Sequence, residues 1–94
     1  MTKREVRRSA QFRKDVRLAH KQGKDISLLD DVIVKLANDE PLSEKYQDHA
    51  LSGNWKGHRE CHISPDWLLV YKKTSDSNLF LFLIRTASHS DLRF

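Results

Sequence analysis

The spacing of apolar residues changes along this chain from a helical period to a two-residue period, which restricts the folds it can adopt. Within SAQFRKDVRLAHKQGKD, the apolar residues Phe12, Val16 and Ala19 recur at helical spacing. Ser9 before them is a suitable N-cap, and Gly23 after them is a suitable stop. The segment therefore predicts an amphipathic helix.

A second helix is predicted to begin at Asp25 or Ser27 and to end in the NDEP sequence, because Pro41 cannot continue the hydrogen-bond ladder. Its buried stripe is predicted to consist of four residues at helical spacing: Leu29, Val32, Ile33 and Leu36. Residues 38–54 are polar and are predicted to be irregular.

Three strand-like runs follow: HRECHI, WLLVYKK and LFLFLIRT, separated by turn clusters at residues 64–66 and 74–78. Near the N-terminus, REVRRS is predicted to form a short edge strand. This order predicts an α+β domain, an antiparallel sheet with two N-terminal helices packed on one face. At this length, residues 1–94 are expected to form a single domain.

The positive charge of the chain is concentrated near its N-terminus. The net charge is +4, and residues 1–25 hold nine Lys/Arg against three acidic residues. Such a face suits a polyanion such as RNA or an acidic protein partner, although a solvated helix surface would have the same composition. No apolar run is long enough for a membrane span or a signal peptide, so a cytoplasmic protein is expected. The single cysteine, Cys61, is expected to fill the sheet or core rather than act as a nucleophile.

The strand HRECHI is unusually polar. Alternation places His58, Glu60 and His62 on one face, and a bend at residues 64–66 would bring Asp66 and Trp67 near the end of this strand. From these residues alone, Asp66 is better explained as a turn residue after Pro65, and Trp67 could simply cap the core. The spacing of His58 and His62 occurs in zinc sites, but no cysteine pair supports a metal here.

Two further histidines, His49 before this strand and His89 after the last one, could converge with His62 in an antiparallel sheet. Histidines with a carboxylate can supply an acid and a base near neutral pH. On RNA, such groups would promote attack of a 2′-OH on the adjacent phosphate, with no metal needed. Cations would hold the developing charge and Trp67 would stack on a base; the candidate cations, which could instead be solvated strand residues, are Arg59, Arg85 and Lys56.

The run YQDHALSGNWKGHRECHISPDWLLVY, followed by LIRTASHSDL, resembles the YafQ branch of the RelE/ParE superfamily of bacterial toxin-antitoxin toxins. The resemblance covers nearly the whole chain and implies a compact RelE-like microbial RNase fold. It also implies a ribosome-dependent endoribonuclease, an mRNA interferase, that cuts mRNA in the ribosomal A site and inhibits translation and growth. A cognate antitoxin would block it, and no cofactor, metal or membrane would be involved.

Carried over by position, the catalytic histidine of the DHxL motif is His49, and the HxxPD motif supplies His62 and Asp66. The tail histidine is His89. The aromatic residue of the tail is shifted by one, because Arg93 occupies its position and Phe94 follows. The residues predicted to bind substrate are Trp67, Arg59, Arg85, Lys56 and Phe94.

Placement in the ribosome would also explain the basic N-terminal segment, which is predicted to contact ribosomal RNA phosphates. The residues predicted for this contact are Arg7, Arg8, Arg13, Lys14 and Arg17. Two alternatives remain at this point: a non-catalytic ParE-like toxin that poisons DNA gyrase, and a plain RNA-binding module. Neither explains three histidines and an aspartate at these positions.

Overall fold

The predicted helices and strands occur in the predicted order in a computed structural model that describes residues 2–74 and 76–92, which also has a short strand within the segment predicted to be irregular and a third helix near the C-terminus. The α+β class is confirmed. The elements are β1 (Glu5–Arg8), α1 (Ala10–Lys21), α2 (Ile26–Ala37), β2 (His49–Ala50), β3 (Arg59–Ser64), β4 (Trp67–Lys73), β5 (Phe80–Ala87) and α3 (His89–Leu92), with 3₁₀ helices at Glu44–Tyr46 and Gly53–Trp55.

The sheet is mixed, which corrects the prediction of a purely antiparallel one. Its strand order is β1-β5-β4-β3-β2, and β1 runs parallel to β5 while the other pairs are antiparallel. Because no hairpin joins β1 to β5, no turn imposes an antiparallel pairing on them. Their relative direction is set where α1 begins, since Ser9 donates its N–H to the carbonyl of Leu83 and its hydroxyl to that of Ile84.

Helix α1 has the predicted ends. The Ser9 hydroxyl accepts a hydrogen bond from the Phe12 N–H at 2.9 Å, and the helix stops before Gly23, whose φ of 78° is in the left-handed region. Phe12 and Ala19 are buried and Val16 is partly buried, so the predicted apolar stripe is confirmed.

Helix α2 begins after Asp25, which caps it by accepting from the Ser27 N–H. It ends at Ala37, well before Pro41, because Asp39 adopts a left-handed conformation with φ 58°. The predicted end in the NDEP sequence is confirmed, although the turn at Asp39 rather than the proline stops the helix. All four predicted stripe residues are buried: Leu29, Val32, Ile33 and Leu36.

Apolar side chains pack on both faces of the sheet. On the helix side, Phe12 and the α2 stripe meet β3, β4 and β5 through residues such as Leu69 and Leu83. On the other face, Leu68 and Val70 pack under Leu92 of α3. Within the part of the chain that is described, no helix is long and apolar enough to cross a membrane.

Cys61 is fully buried in the helix-side core, as its predicted role as a filler requires. Burial raises the pKa of its thiol to about 12, with a smaller contribution from the carboxylates of Asp48 and Glu60. The thiol is therefore neutral at physiological pH and is not a nucleophile.

Candidate active site

Asp66 and His89 meet where the β3–β4 turn faces the start of α3. One carboxylate oxygen of Asp66 lies 3.1 Å from His89 Nδ1 and 3.2 Å from the His89 backbone nitrogen. The side-chain hydrogen bond, and then the backbone one, lower the pKa of the Asp66 carboxyl. Asp66 is therefore a carboxylate at neutral pH, and it orients the His89 ring.

His62, one strand residue before the bend, lies beside His89. Their ring centroids are 5.3 Å apart, and the rings are inclined by 46°. One side-chain donor atom each from Glu60, His62 and His89 lies within 4.8 Å of the others. Two imidazoles and a carboxylate thus share one small volume at the end of the sheet.

His49 joins this group through strand pairing. The two-residue strand β2 places it directly opposite Glu60 on β3, and its Nε2 lies 3.6 Å from Glu60 Oε1. Its Nδ1 is 2.7 Å from the carbonyl oxygen of Gln47. Because a carbonyl can only accept, Nδ1 carries the proton of the neutral ring and Nε2 is left facing Glu60.

Glu60 is the site residue that the sequence prediction omitted. It is only 4% exposed, and its Oε2 is buried with no hydrogen-bond partner among residues 2–74 and 76–92. The Nδ1 of His62 is likewise buried without a hydrogen-bond partner among the described residues. Such groups are costly to bury, so their presence beside solvent-facing histidines is typical of a functional site. The signal was present in the sequence, since alternation already placed Glu60 on the face of His62.

The remaining histidine of the HRECHI strand region does not join the cluster. His58 lies against Trp55, edge to face at 5.4 Å, with its Nδ1 3.3 Å from the Trp55 carbonyl oxygen. Of the two histidines in the considered zinc spacing, only His62 belongs to the site.

Trp67 has a different role from the one predicted. Its ring is 2% exposed and belongs to the helix-side core, because alternation along β4 places it on the same face as Leu69 and Tyr71. A ring without an accessible face cannot stack on a base, so this prediction is wrong and the core-cap interpretation is correct.

The predicted cations are engaged with carboxylates. Arg85 donates from Nε to Asp15 at 2.8 Å and from Nη2 at 3.2 Å. Arg59 donates to Asp48 at 3.3 Å, from the β3 face opposite His62. Their phosphate contacts stay predictions.

The remaining predicted residues fall into two groups, the other substrate-binding candidates and the ribosome contacts. Lys56 is exposed after the Gly53–Trp55 turn, and Phe94 lies outside the described residues. The predicted ribosome contacts are all exposed, although Arg7 is paired with Glu5: Arg7, Arg8, Arg13, Lys14 and Arg17.

The cluster has two chemical capacities. Three imidazoles and two carboxylates can take up, hold and release protons. The carboxylate oxygen and two ring nitrogens of Glu60, His62 and His89 are also a donor set that suits a transition metal. The fold and this cluster together define a small α+β protein equipped for acid-base chemistry at the end of its sheet.

Comparison with known proteins narrows this class to a family. The family model described as the YafQ bacterial toxin of type II toxin-antitoxin systems matches residues 4–94. The chain is 42% identical over 93 residues to the mRNA interferase toxin YafQ of Escherichia coli K12, covering 98% of each protein. The chain therefore belongs to the YafQ family of toxins of type II toxin-antitoxin systems, and the resemblance seen in the sequence is confirmed.

Solved structures agree with this assignment. A chain of the E. coli DinJ-YafQ toxin-antitoxin complex superposes with a TM-score of 0.86 at 42% identity, covering 96% of this chain and 97% of that one. A metal-bound toxin from Helicobacter pylori has a TM-score of 0.87 at 44% identity, covering 98% of this chain and 99% of that one. The fold is thus shared with a toxin solved in complex with a protein partner and with H. pylori toxins solved with a bound metal.

Proposed function

We propose that this toxin is an mRNA interferase, an endoribonuclease that cleaves messenger RNA and so stops translation and growth. The observation that carries the proposal is the convergence of His49, His62 and His89 with Asp66 and Glu60 at one end of the sheet. A protein that acts only by binding has no need of five titratable groups in contact, so a gyrase poison is disfavoured.

The proposed reaction needs one base and one acid. The base removes the proton of a ribose 2′-OH, the 2′ oxygen attacks the adjacent phosphorus, and the bond to the 5′ oxygen breaks as the acid protonates that oxygen. The products are a 2′,3′-cyclic phosphate and a free 5′-OH. We assign the acid and base roles to the imidazoles of His62 and His89, which are adjacent.

The two carboxylates support these histidines. Ionised Asp66 accepts a hydrogen bond from His89 Nδ1, which leaves His89 Nε2 free to exchange a proton with RNA. Buried Glu60 faces His49 Nε2 at 3.6 Å and positions that imidazole at the edge of the cluster.

The proposed substrate is mRNA in the A site of the ribosome, and the proposed location is the cytoplasm. The exposed basic residues of β1 and α1 support docking on ribosomal RNA, because among residues 2–74 and 76–92 Arg7 is the only one of the five predicted contacts that forms an ion pair. Phosphate contacts of this kind would position the toxin without reading sequence.

The proposed protein partner is a cognate antitoxin. The E. coli relative is known in a complex with DinJ. We expect an acidic, otherwise flexible antitoxin segment to fold over the basic surface of this chain and form a hetero-oligomeric complex.

The test is primer extension on a translated mRNA after brief expression of the toxin, with His62→Ala and, as a matched control, His58→Ala. Cuts are expected with the unmodified chain and with His58→Ala, because His58 lies outside the cluster. They should disappear with His62→Ala. Intact mRNA with growth still arrested would reject the proposal in favour of gyrase poisoning.

A second candidate activity is binding of a transition metal by Glu60, His62 and His89, favoured by their mutual spacing and by the metal-bound H. pylori toxin. A metal on these atoms would occupy the lone pairs that the reaction needs, so it should inhibit cleavage. In a titration with Zn²⁺ or Cu²⁺, the chain should bind one ion, and Glu60→Gln should weaken the affinity for that ion. Unchanged affinity in Glu60→Gln would reject this site.

A further inference from the structure

A cleft of about 490 Å³ opens beside His62, between α2 and the Glu44–Tyr46 3₁₀ helix. Its volume is in the range of small-ligand sites. Because His62 is part of its wall, whatever fills the cleft also touches the proposed catalytic group.

Tyr46 forms the far wall of the cleft. It is half-buried, and two lysine ammonium groups approach its ring: Lys45 Nζ at 5.0 Å and Lys35 Nζ at 5.8 Å from the centroid. An aromatic ring beside two cations is the combination that binds single-stranded nucleic acid, with the ring stacking on a base and the cations contacting phosphate.

The same cleft has groups that can read the edge of a base. Asp31, exposed on α2, and Gln47, at the left-handed end of the 3₁₀ helix, both line it. A carboxylate can only accept hydrogen bonds, so Asp31 would pair with an exocyclic amino group and not with a carbonyl oxygen. Leu28 adds an apolar contact to the wall.

We infer that this cleft binds a nucleotide of the substrate RNA next to the cut phosphate, with its base against Tyr46, its phosphate toward Lys45 and its amino edge toward Asp31. The inference rests on the proposed nuclease function. It supplies a base-stacking residue where Trp67, buried in the core, cannot serve. It also predicts that guanine, whose N1–H and exocyclic amino group are adjacent donors for one carboxylate, is preferred at this position over uracil, whose single N3–H lies between two carbonyl oxygens.

The first experiment compares Tyr46→Leu with Tyr46→Phe in single-turnover cleavage on mRNA-programmed ribosomes. Tyr46→Phe keeps the aromatic face and should cleave at nearly the original rate. Tyr46→Leu keeps the apolar packing and loses the stack, so its rate should fall about 5- to 100-fold, the loss expected for one base–aromatic stack. Phe82→Leu, which removes a half-buried ring outside the cleft, is the matched control and should leave the rate unchanged.

The second experiment maps the cut sites of Asp31→Asn, with the neighbouring exposed acid Asp30→Asn as the control. Because an asparagine both donates and accepts, Asp31→Asn can pair with the N3–H and a carbonyl oxygen of uracil together, so the share of cuts with uracil at this position should rise relative to guanine. Asp31 is exposed, so the substitution should not disturb folding.

These experiments distinguish failure of the proposed base-binding cleft from failure of the proposed nuclease function. Equal cleavage rates for the unmodified chain and Tyr46→Leu, or an unchanged set of cut sites in Asp31→Asn, would overturn the cleft as a base-binding site and leave the proposed function standing. Absence of cleavage by the unmodified chain on programmed ribosomes would overturn the proposed function and the cleft with it.

Discussion

The hydrogen bonds that Asp66 accepts from His89 decide which of these two groups can move a proton. They lower the pKa of the Asp66 carboxyl from its usual range, so Asp66 stays ionised throughout the pH range in which a histidine titrates. An aspartate in that state cannot donate a proton to the leaving oxygen. The role we propose for it is to orient the His89 ring.

Asp66→Asn should therefore slow cleavage without abolishing RNA binding. An asparagine oxygen can still accept from His89 Nδ1, but it does not stabilise the protonated ring as a carboxylate does. We expect a loss on the order of 10²-fold in the single-turnover rate, at the lower end of what general acid-base catalysis contributes.

The control for this variant is Asp76→Asn, in the exposed β4–β5 loop, which should cleave normally. RNA binding is compared by filter retention of toxin–ribosome complexes. An unchanged cleavage rate in Asp66→Asn would show that the carboxylate has no part in the reaction.

Among the elements, α1 is attached to β5 by one buried carboxylate. Asp15 accepts two hydrogen bonds from Arg85, one from the Thr86 N–H at 3.0 Å and one from Gln11. A β-bulge lies beside this contact, since Tyr71 pairs with Leu83 and Val70 with Arg85, which leaves Ile84 as one extra residue on β5.

Asp15→Ala should destabilise the fold by about 2 to 3 kcal/mol, because it leaves a buried N–H and a partly buried guanidinium without their acceptor. This expected loss of unfolding free energy is smaller than the loss from breaking a fully buried ion pair, because the Arg85 side chain is 27% exposed. Urea unfolding measures the change, with Asp30→Ala on the exposed side of α2 as the reference. A loss no larger than that of Asp30→Ala would contradict the attachment.

Asp39 joins three segments at the other end of the sheet. Its Oδ1 lies 2.7 Å from Arg4 Nε and 2.8 Å from Lys73 Nζ. The Lys73 hydrogen bond, and then the Arg4 hydrogen bond, lower the pKa of Asp39 below its usual 3.8. The folded state therefore binds fewer protons than the unfolded state in this range, and the stabilisation is present above about pH 4 and is lost as the pH falls.

Asp39→Asn should accordingly cost less than about 1 kcal/mol at pH 7, because the side chain is 35% exposed and solvent screens the pair. The difference from the unmodified chain should shrink as the pH falls below 4. Asparagine tolerates the left-handed backbone at this position, so the change isolates the charge. Urea unfolding at pH 7 and pH 3 measures the difference in unfolding free energy between Asp39→Asn and the unmodified chain. A difference that grew at low pH would mean that folding does not lower the pKa of Asp39.

For the whole molecule, the distribution of charge is the feature most relevant to its target. Residues 1–25 carry a net charge of +6, while the rest of the chain carries −2. The folded structure keeps this asymmetry at the surface, because Arg8, Arg13, Lys14 and Arg17 are all exposed. Such a surface attracts a polyanion at long range and is screened by salt.

Charge reversal by Arg13→Glu with Lys14→Glu should weaken ribosome binding and reduce its salt dependence. The magnitude of the slope of log affinity against log salt concentration should decrease by on the order of one for each lost phosphate contact. The pair Lys3→Glu with Lys72→Glu changes the net charge equally at exposed positions away from α1 and serves as the control. Equal weakening by both pairs would mean that net charge alone, and not α1, governs binding.

The sequence by itself determined the features that depend on local spacing. Helices α1 and α2, the cap of α1 at Ser9 and the three long strands follow from apolar periodicity and capping chemistry, whereas these signals leave the start of α2 between Asp25 and Ser27. The four proposed catalytic residues were found through motif resemblance, and strand alternation already placed Glu60 with His62.

Only the tertiary structure decided the features that depend on which strands become neighbours. Three features join residues distant in sequence: the parallel pairing of β1 with β5, the two-residue β2 that places His49 opposite Glu60, and the hydrogen bonds between Arg85 and Asp15. Alternation placed Trp67 on one face of β4 but could not show that this face lies under the helices. The physical reason is that side-chain periodicity records which residues share a face, whereas the partner that covers that face is set by packing of the whole chain.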